Sequence, residues 1–176
     1  MAGTVTVAYS DIIPVAQVMS QNPAAGQSAS SGAAVAMVVS GGTAPVPTPT
    51  LTGLTQAAAE NALVSVGLRL GTVGEIYSET VAVGRVVSQD PASAEALPPN
   101  SAVHIVLSLG PEPITVPDIT NRTQSQAESE LSELRLVLGT VTEAFSSTVL
   151  EGRVIRQEPE AGATLLPGGE VSVVLS

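Results

Sequence analysis

The sequence predicts an α+β fold made of tandem small domains, each with one α-helix packed on a three-stranded antiparallel sheet. Three observations lead to this prediction. The 176-residue sequence repeats itself at a constant interval. Each complete copy contains one helix signal behind a capping residue, and three segments with strand-like alternation follow it. An antiparallel sheet that carries a helix on one face buries one stripe of apolar residues from each element.

The repeat has an interval of 68 residues and never changes register. Two motifs return in all three copies, a Gly-Thr-Val segment and a Gln-x-Pro segment, namely Gly3-Thr4-Val5, Gly71-Thr72-Val73 and Gly139-Thr140-Val141, then Gln21-Asn22-Pro23, Gln89-Asp90-Pro91 and Gln157-Glu158-Pro159. Because no residue is inserted or lost between these motifs, we expect the same three-dimensional plan in each copy.

The repeat divides the chain into five segments. We expect a partial repeat over residues 1–40 that lacks its helix, a linker over 41–47, a complete repeat over 48–108, a second linker over 109–115 and a complete repeat over 116–176. Residues 1–40, 48–108 and 116–176 are called the first, second and third repeats below. Proline in both linkers favours extended backbone and predicts semi-rigid connections.

The helix of each complete repeat begins at a threonine. Thr123 and Gln126 form a capping-box pattern in front of Ala127, Leu131 and Leu134. The second repeat has Thr55 at the same position, and Gly67 follows its helix, which favours a left-handed cap. The third repeat has Arg135 in place of this glycine, so we expect its helix to end in another way.

Three strands are predicted after each helix. In the second repeat they are the segment containing Gly71-Thr72-Val73, the segment around Arg85-Val86-Val87, and Val103-His104-Ile105-Val106-Leu107. Asp90-Pro91 and the Pro98-Pro99 turn separate the last two strands.

Composition excludes several functional classes. The chain has six arginines, no lysine and sixteen acidic residues, and the resulting net charge of −10 would repel a phosphate backbone, so we do not expect a nucleic-acid partner. No apolar run approaches the roughly 20 residues that a membrane-spanning helix needs. Cysteine is absent, and the only histidine is His104, so we expect no metal site and no cofactor.

The order of motifs resembles that of the PASTA domain. In the third repeat the resemblance is carried by seven motifs in sequence: Val116-Pro117-Asp118, Thr123, Gly139-Thr140-Val141, Phe145-Ser146, Gly152-Arg153-Val154, Gln157-Glu158-Pro159 and Pro167-Gly168. The second repeat departs from this pattern at its opening, where Thr48-Pro49-Thr50 replaces Val-Pro-Asp. The resemblance implies a three-stranded sheet with one helix, found in tandem outside bacterial transpeptidases and membrane-anchored Ser/Thr kinases. It also implies that some copies bind peptidoglycan.

Arginines at corresponding positions are candidate ligand-binding residues. Arg85 and Arg153 match each other across the repeat, and Arg156 lies on the same strand as Arg153. A guanidinium could bind the carboxylate of a cell-wall peptide through two hydrogen bonds. The alternative, which we favour, is a surface ion pair between each of the matched arginines and one of the many glutamates.

All three aromatic residues of the chain occupy one repeat position: Tyr9, Tyr77 and Phe145. They could form a stacking surface for a sugar ring or a peptide, and Tyr77 and Phe145 are candidates for such a surface. The alternative interpretation, which we favour, is a core residue at the end of a strand. Gln21, Gln89 and Gln157 are interpreted as residues that hold a turn.

We expect no enzymatic activity, because no serine has a histidine or lysine within a recognisable pattern. The chain is interpreted as a tandem-repeat segment of a larger bacterial cell-surface or cell-envelope protein, extracellular and structural, that acts as a spacer, adhesion or assembly module. The alternative is a peptidoglycan-binding sensor or anchoring ectodomain that recognises muropeptides.

The first repeat predicts a further partner. Val18, Met19, Val35 and Met37 lie at predicted core positions, although this repeat has no helix to cover them. We therefore expect the partners to be neighbouring repeats or a second copy, with self-association through the partial repeat.

Overall fold

The structure is a computed structural model and describes residues 2–176. Over these residues the chain contains two helices and thirteen strands. It divides into two compact units. One comprises the described residues up to Gly74 together with Arg85–Leu107, and the other comprises Glu75–Gly84 together with Ser108–Ser176. The segment boundaries that the repeat predicts stay a prediction.

The first repeat is a bare three-stranded sheet. Its strands are β1 (Ala2–Ala8), β2 (Val18–Asn22) and β3 (Val35–Ser40), in the spatial order β1-β3-β2. Strand β3 is parallel to β1 and antiparallel to β2. Because β3 lies in the centre, each of its neighbours is an edge strand.

The second and third repeats add a helix and two short strands to the same sheet. The elements of the second repeat are β4 (Val46–Pro47), α1 (Gln56–Ser65), β5 (Arg69–Ile76), β6 (Val86–Asp90), β7 (Ala96–Leu97) and β8 (Ala102–Ser108). Those of the third are β9 (Ile114–Thr115), α2 (Gln124–Glu133), β10 (Val137–Glu143), β11 (Val154–Glu158), β12 (Thr164–Leu165) and β13 (Glu170–Leu175). The three-stranded sheets have the orders β5-β8-β6 and β10-β13-β11, and β4 pairs with β7 as β9 pairs with β12.

The structure confirms the α+β class and the helix on a three-stranded sheet, and it corrects the strand directions. Strand β13 is antiparallel to β11 but parallel to β10, so the expectation of an entirely antiparallel sheet is wrong. The last strand of the repeat inserts between the two earlier ones instead of adding at an edge. Its neighbours run in opposite directions, and the central strand must therefore be parallel to one of them.

The helix starts agree with the capping prediction. Thr123 is the N-cap of α2: its hydroxyl accepts a hydrogen bond from the backbone N–H of Gln126, and the Gln126 side chain accepts one from the N–H of Thr123, which completes a capping box. Thr55 caps α1 through one such bond, since its hydroxyl accepts from the N–H of Ala58, and Ala58 has no side-chain acceptor to complete a capping box. These bonds satisfy backbone donors that have no partner inside the helix.

Both helices end in a Schellman motif, which corrects the prediction for the third repeat. Gly67 has a φ of 77°, and Leu68 N–H donates to the carbonyl of Leu63. Arg135 takes the same left-handed conformation with a φ of 61°, and Leu136 N–H donates to Leu131. The expectation that Arg135 ends the helix in another way is wrong, because the closing hydrogen bonds hold an arginine where glycine would have no steric cost.

Each complete repeat has its own apolar core between helix and sheet. In the second repeat the core consists of Leu51, Ala59, Leu63, Leu68, Val86, Val103, Ile105 and Leu107. In the third repeat it consists of Val116, Ile119, Ala127, Leu131, Leu136, Val154, Val171, Val173 and Leu175. The opening segment, one face of the helix and one face of the sheet thus contribute to each core.

The first repeat leaves the corresponding sheet face open. Val18 is 51 % exposed, whereas Val86 and Val154, at the same repeat position, are 1 % and 0 % exposed. Val35 and Met37 are half-buried. Residues at the position of Met19 are half-buried even in the complete repeats, so Val18 and not Met19 occupies the core position. Self-association through this face stays a prediction.

Candidate functional site

The matched arginines hold the start of the helix. Arg85 Nη1 donates a 2.8 Å hydrogen bond to the carbonyl of Gly53, and Arg153 Nη1 donates a 2.5 Å bond to the carbonyl of Asn121. Gly53 and Asn121 both have positive φ and belong to the turn that leads into the helix. Isolated bridges also place Arg85 opposite Thr55 and Arg153 opposite Thr123, the helix N-caps.

The predicted pairing of these arginines with glutamates is therefore wrong. Among the described residues, the ion pairs join Arg122 to Glu130 and Arg135 to Glu79. The backbone bridge places each matched arginine next to the turn in its own repeat. One N–H of the guanidinium donates to a carbonyl of that turn. Their role in the structure is to position the helix entry.

Arg156 lies elsewhere, on the sheet face opposite the helix. It is exposed on β11, and over residues 2–176 its guanidinium has no hydrogen bond or ion pair. A shallow groove with a volume of about 240 Å³ runs past it, lined on the other strands by Thr140, Thr142 and Ser172. Glu158, also exposed, lines the same groove. The groove thus presents one cation, one anion and several hydroxyls on an open surface.

The same groove recurs in the first repeat with different chemistry. There it has a volume of about 140 Å³ and is lined by Thr4, Thr6, Ser20, Gln21, Asn22, Ala36, Met37 and Val38. Ser20 and Asn22 stand at the positions of Arg156 and Glu158, so this groove has polar groups but no charge. The recurrence shows that the groove is a feature of the sheet. Among the three repeats, only the third has an arginine at this position, because the second repeat has Ser88 there and Asp90 at the position of Glu158.

In the second repeat His104 stands at the position of Ser172, one of the residues that line the groove in the third repeat. His104 is exposed, as predicted, and its Nδ1 accepts a 3.0 Å hydrogen bond from the backbone N–H of Thr72. Its ring lies against Gly71, so close that a Cβ at that position would come within 2.8 Å of Nδ1. The imidazole thus lies next to Gly71, as the smaller Ser172 side chain lies next to Gly139 in the third repeat.

The aromatic residues are exposed, which contradicts their interpretation as core residues. Tyr9 is 60 % and Tyr77 is 48 % exposed, and Phe145 is completely exposed. Phe145 lines a recess together with Glu143, Ala144, Ser146, Val149, Glu151 and Ser176. The cores of the two complete repeats consist of aliphatic residues from the opening segment, helix and sheet. The recess and the Arg156 groove have no lining residue in common, so the candidate residues do not form a single site.

The glutamines bond to the turn that follows them, as predicted, and in the complete repeats they also bond to the opening segment, which was not predicted. Gln157 is 8 % exposed: its Oε1 accepts a bond from Ile119 N–H, and its Nε2 donates to the carbonyls of Pro117 and Pro159. Gln89 makes the equivalent bonds to Leu51, Pro49 and Pro91. Each amide thus joins its turn to the segment in front of the helix.

Asp118 has a pKa lowered by hydrogen bonds from Thr120. The hydroxyl of Thr120 donates a 2.7 Å bond to Asp118 Oδ1 and the Thr120 N–H donates a second, which lowers the pKa of this carboxyl below its ordinary value of 3.8, with a smaller contribution from the charge of Arg122. Sequence analysis missed this turn, although Asp-x-Thr in front of a helix is a recognisable signal.

Within residues 2–176, no cluster of three or more histidine, cysteine or acidic side chains is arranged to hold a metal ion. Neither of the two helices in this range is long and apolar enough to cross a membrane.

The fold defines a class of tandem repeats with a three-stranded sheet, a capped helix and a Gln-x-Pro turn. The family model described as PASTA domain matches residues 46–109 and 114–176. The chain therefore belongs to the PASTA domain family, and the resemblance seen in the sequence is confirmed. The first repeat lies outside the matched residues, and its kinship rests on the 68-residue interval and on its identical strand order.

Similar proteins are bacterial Ser/Thr kinases. The chain is 36 % identical over 156 residues to serine/threonine-protein kinase PrkC of Bacillus subtilis, which covers 88 % of the chain and 24 % of the kinase. It is 32 % identical over 160 residues to the probable kinase PknB of Corynebacterium glutamicum, and this match covers 90 % of the chain and 24 % of the kinase. The chain thus spans about a quarter of the length of these relatives.

Solved structures from Staphylococcus aureus have the same fold. A crystal structure of the three-PASTA-domain of a Ser/Thr kinase is 27 % identical with a TM-score of 0.59, and the match covers 99 % of this chain and 87 % of that one. The entire extracellular region of the kinase PrkC is 28 % identical with a TM-score of 0.57, covering 99 % of this chain and 62 % of that one.

Proposed function

We propose that the chain is a non-enzymatic, extracellular segment of a larger bacterial protein and that its third repeat binds peptidoglycan fragments. The similarity to extracellular regions of Ser/Thr kinases supports a sensing or binding ectodomain. The matched segments are PASTA domains, a family in which some copies bind peptidoglycan. This proposal favours the peptidoglycan-binding alternative over the spacer.

The observation that carries the proposal is the unpaired Arg156 in its groove. A cation without a partner within the described residues keeps all its donors available, and a guanidinium binds a carboxylate through two parallel hydrogen bonds. Hydroxyls of Thr140, Thr142 and Ser172 line the floor and can bond the remaining polar atoms of a ligand. Glu158 adds an acceptor for an ammonium group.

Peptidoglycan stem peptides offer matching groups, because they contain free carboxylates and amines on a short backbone. A groove of about 240 Å³ is smaller than a typical pocket for a drug-sized molecule and is suited to part of such a peptide. Arg85 and Arg153 are not assigned to binding here, since a turn carbonyl already takes a donor from each. Tyr77 and Phe145 stay candidates for a separate stacking contact.

Titration of the chain with purified muropeptides tests this function. Isothermal titration calorimetry should show saturable binding, and Arg156→Ala should weaken it by about tenfold or more, since a hydrogen bond to a charged group contributes roughly 1.5–3 kcal/mol. Arg122→Ala is the matched control, because Arg122 is exposed on the same repeat and already pairs with Glu130. Equal affinity of Arg156→Ala and the unmodified chain would contradict the proposal.

A spacer function is the second candidate, and the linkers favour it. Ser10 N–H donates to the carbonyl of Gly42, and Ser40 Oγ accepts from Gly42 N–H while it donates to Ile13. Ser78, Gly110, Ser108 and Val81 repeat this arrangement at the second linker. Each linker therefore leaves its repeat in a defined conformation. A chain that serves only as a spacer would give no heat of binding in the same titration.

A further inference from the structure

Thr72 and His104 lie side by side on the sheet of the second repeat. The hydroxyl oxygen of Thr72 is 2.6 Å from Nδ1 of His104, and the backbone N–H of Thr72 donates to the same nitrogen at 3.0 Å. Thr72 is on β5 and His104 is on the adjacent strand β8, and both residues are exposed. The second repeat thus has a hydroxyl and an imidazole in direct contact and open to solvent.

The backbone hydrogen bond determines which nitrogen of the imidazole is the base. An N–H group can only donate, so Nδ1 of His104 accepts from the Thr72 N–H, and in the neutral ring the proton is on Nε2. The Thr72 hydroxyl lies within hydrogen-bonding distance of the same electron pair on Nδ1. The hydroxyl is therefore the donor of this bond, and the imidazole is positioned to accept its proton.

Gly71 and Asp90 complete the surroundings of the imidazole. Gly71 lies against the ring, where a Cβ would come within 2.8 Å of Nδ1 and 2.9 Å of Cε1. Asp90 is paired directly opposite His104 in the antiparallel ladder of β6 and β8. Residues paired in this way have Cβ atoms about 4.5–5.5 Å apart on the same face of the sheet. An imidazolium formed at His104 would therefore lie next to a carboxylate, which stabilises its charge.

The third repeat has the same arrangement without the imidazole. Thr140 matches Thr72 and is also exposed, but Ser172 stands at the position of His104. The backbone N–H of Thr140 donates to Ser172 Oγ at 3.2 Å, in place of the bond to a ring nitrogen. Because a serine hydroxyl does not act as a base at neutral pH, Thr140 is a matched comparison for Thr72 within the same chain.

We propose that Thr72 is an acyl-acceptor site at which His104 acts as the general base. The acyl donor is an activated carboxylic ester or thioester. Thr72 Oγ1 forms a bond to the acyl carbon while its proton passes to His104 Nδ1, and the bond to the leaving group breaks with the electron pair on the leaving group. The imidazolium then gives the proton to the leaving group. The product is an ester of Thr72, formed once per chain, so the reaction is a modification and not a turnover.

The open position of the pair determines which donors react. A positioned general base accelerates proton transfer by about 10²–10⁴-fold. Because Thr72 and His104 are exposed on a sheet surface, we expect this contribution to require a donor with a good leaving group. The inference does not rest on peptidoglycan binding, which is assigned to the Arg156 groove of the third repeat.

Acetylation of the whole chain by p-nitrophenyl acetate tests the proposal. The sequence has no lysine and no cysteine, so few other side chains compete for the reagent. Peptide mapping by mass spectrometry should find an acetyl group on Thr72, formed at least about 100-fold faster than on Thr140. Thr72→Val should remove this modification, because valine keeps the β-branched shape of the side chain without its hydroxyl.

A reciprocal exchange between the two repeats isolates the effect of the imidazole. His104→Ser gives the second repeat the side chain of the third, and it should slow acetylation of Thr72 to the rate of Thr140. Ser172→His makes the opposite change and should make Thr140 reactive, because Gly139 has no side chain that would displace the ring. The amide NMR spectrum of each variant checks that its repeat stays folded. If Ser172→His disturbs the third repeat, the result with His104→Ser decides alone.

Several results would overturn the proposal. One is acetylation of Thr72 that is absent or no faster than that of Thr140. Another is an unchanged rate at Thr72 in His104→Ser, which would show that the imidazole does not act as the base. An acetyl group that stays on the imidazole and never reaches the hydroxyl would also overturn it, since His104 would then be the acceptor.

Discussion

The first and third repeats share a sheet and differ in what lies on it. Their strands have the same order, and Val5 pairs with Met37 just as Val141 pairs with Val173. Yet Val18 is half exposed where Val154 is completely buried. The sheet therefore forms the same strand pairing with or without a helix, whereas burial of its apolar face requires the opening segment and the helix. Most of the hydrophobic stabilisation of a complete repeat should therefore come from contacts that the first repeat lacks.

The largest expected effect comes from opening the core of the third repeat. Leu131→Ala should destabilise this repeat by about 2–5 kcal/mol, because it removes a completely buried side chain and leaves a cavity. Residue-level hydrogen exchange should show the loss in α2 and β13 and no change in β1–β3. Leu134→Ala is the control, because Leu134 is the C-cap of the same helix and is 40 % exposed. It should lower the stability of the repeat much less. An equal loss in the first repeat would break the comparison between the two repeats.

A smaller effect is expected at the glutamine that recurs in front of the turn in the first and third repeats. Gln157→Ala should cost about 1–3 kcal/mol, since it leaves the buried N–H of Ile119 without its acceptor. Gln21→Ala removes only the bond to Pro23 on an exposed surface and should change stability by less than about 0.5 kcal/mol. Chemical denaturation followed by exchange in each repeat measures both. Similar losses of stability for the two substitutions would contradict the expectation that the glutamine stabilises a repeat mainly through its bonds to the opening segment.

The smallest expected effect is a loss of stability of the third repeat at low pH, caused by protonation of Asp118. Thr120 lowers the pKa of Asp118 in the folded chain, so this carboxylate contributes stability above its ordinary pKa of 3.8, and that contribution is lost as the pH falls through the lowered value. The third repeat should lose stability below about pH 3.8, and Asp118→Asn should reduce the loss. The first repeat has no matching opening segment. NMR titration of the Asp118 carboxyl gives the direct measurement, and a pKa above 3.8 would be the contrary result.

The candidate site could be predicted only in part from the sequence. Arg85, Arg153 and Arg156, the arginines that the repeat pattern selected, are all exposed or half-buried. The pattern did not separate their roles. Two of these guanidiniums bond to turn carbonyls, and the third lies on the opposite face in a groove. A bulge between Val154 and Arg156 shifts the register of β11, and such an irregularity is not visible in a pattern of residue types.

The sequence also did not reveal that the aromatic residues are exposed. Regular recurrence of Tyr9, Tyr77 and Phe145 indicated that the position matters, and core packing was the reasonable interpretation for large apolar rings. Whether the ring of an aromatic residue is exposed depends on which side chains form the core. Ile119, Leu131 and Val154 fill it in the third repeat, so the ring of Phe145 stays outside.

Local signals in the sequence by itself determined the number of repeats, the helix starts at Thr55 and Thr123, the strand segments and the family. Capping, alternation and turns act between residues that are close along the chain, so their patterns can be recognised without coordinates. Only the tertiary structure decided that β13 inserts parallel to β10 and that Arg135 adopts a left-handed conformation. These features depend on contacts between distant segments, whose energies compete across the whole repeat and leave no local signature.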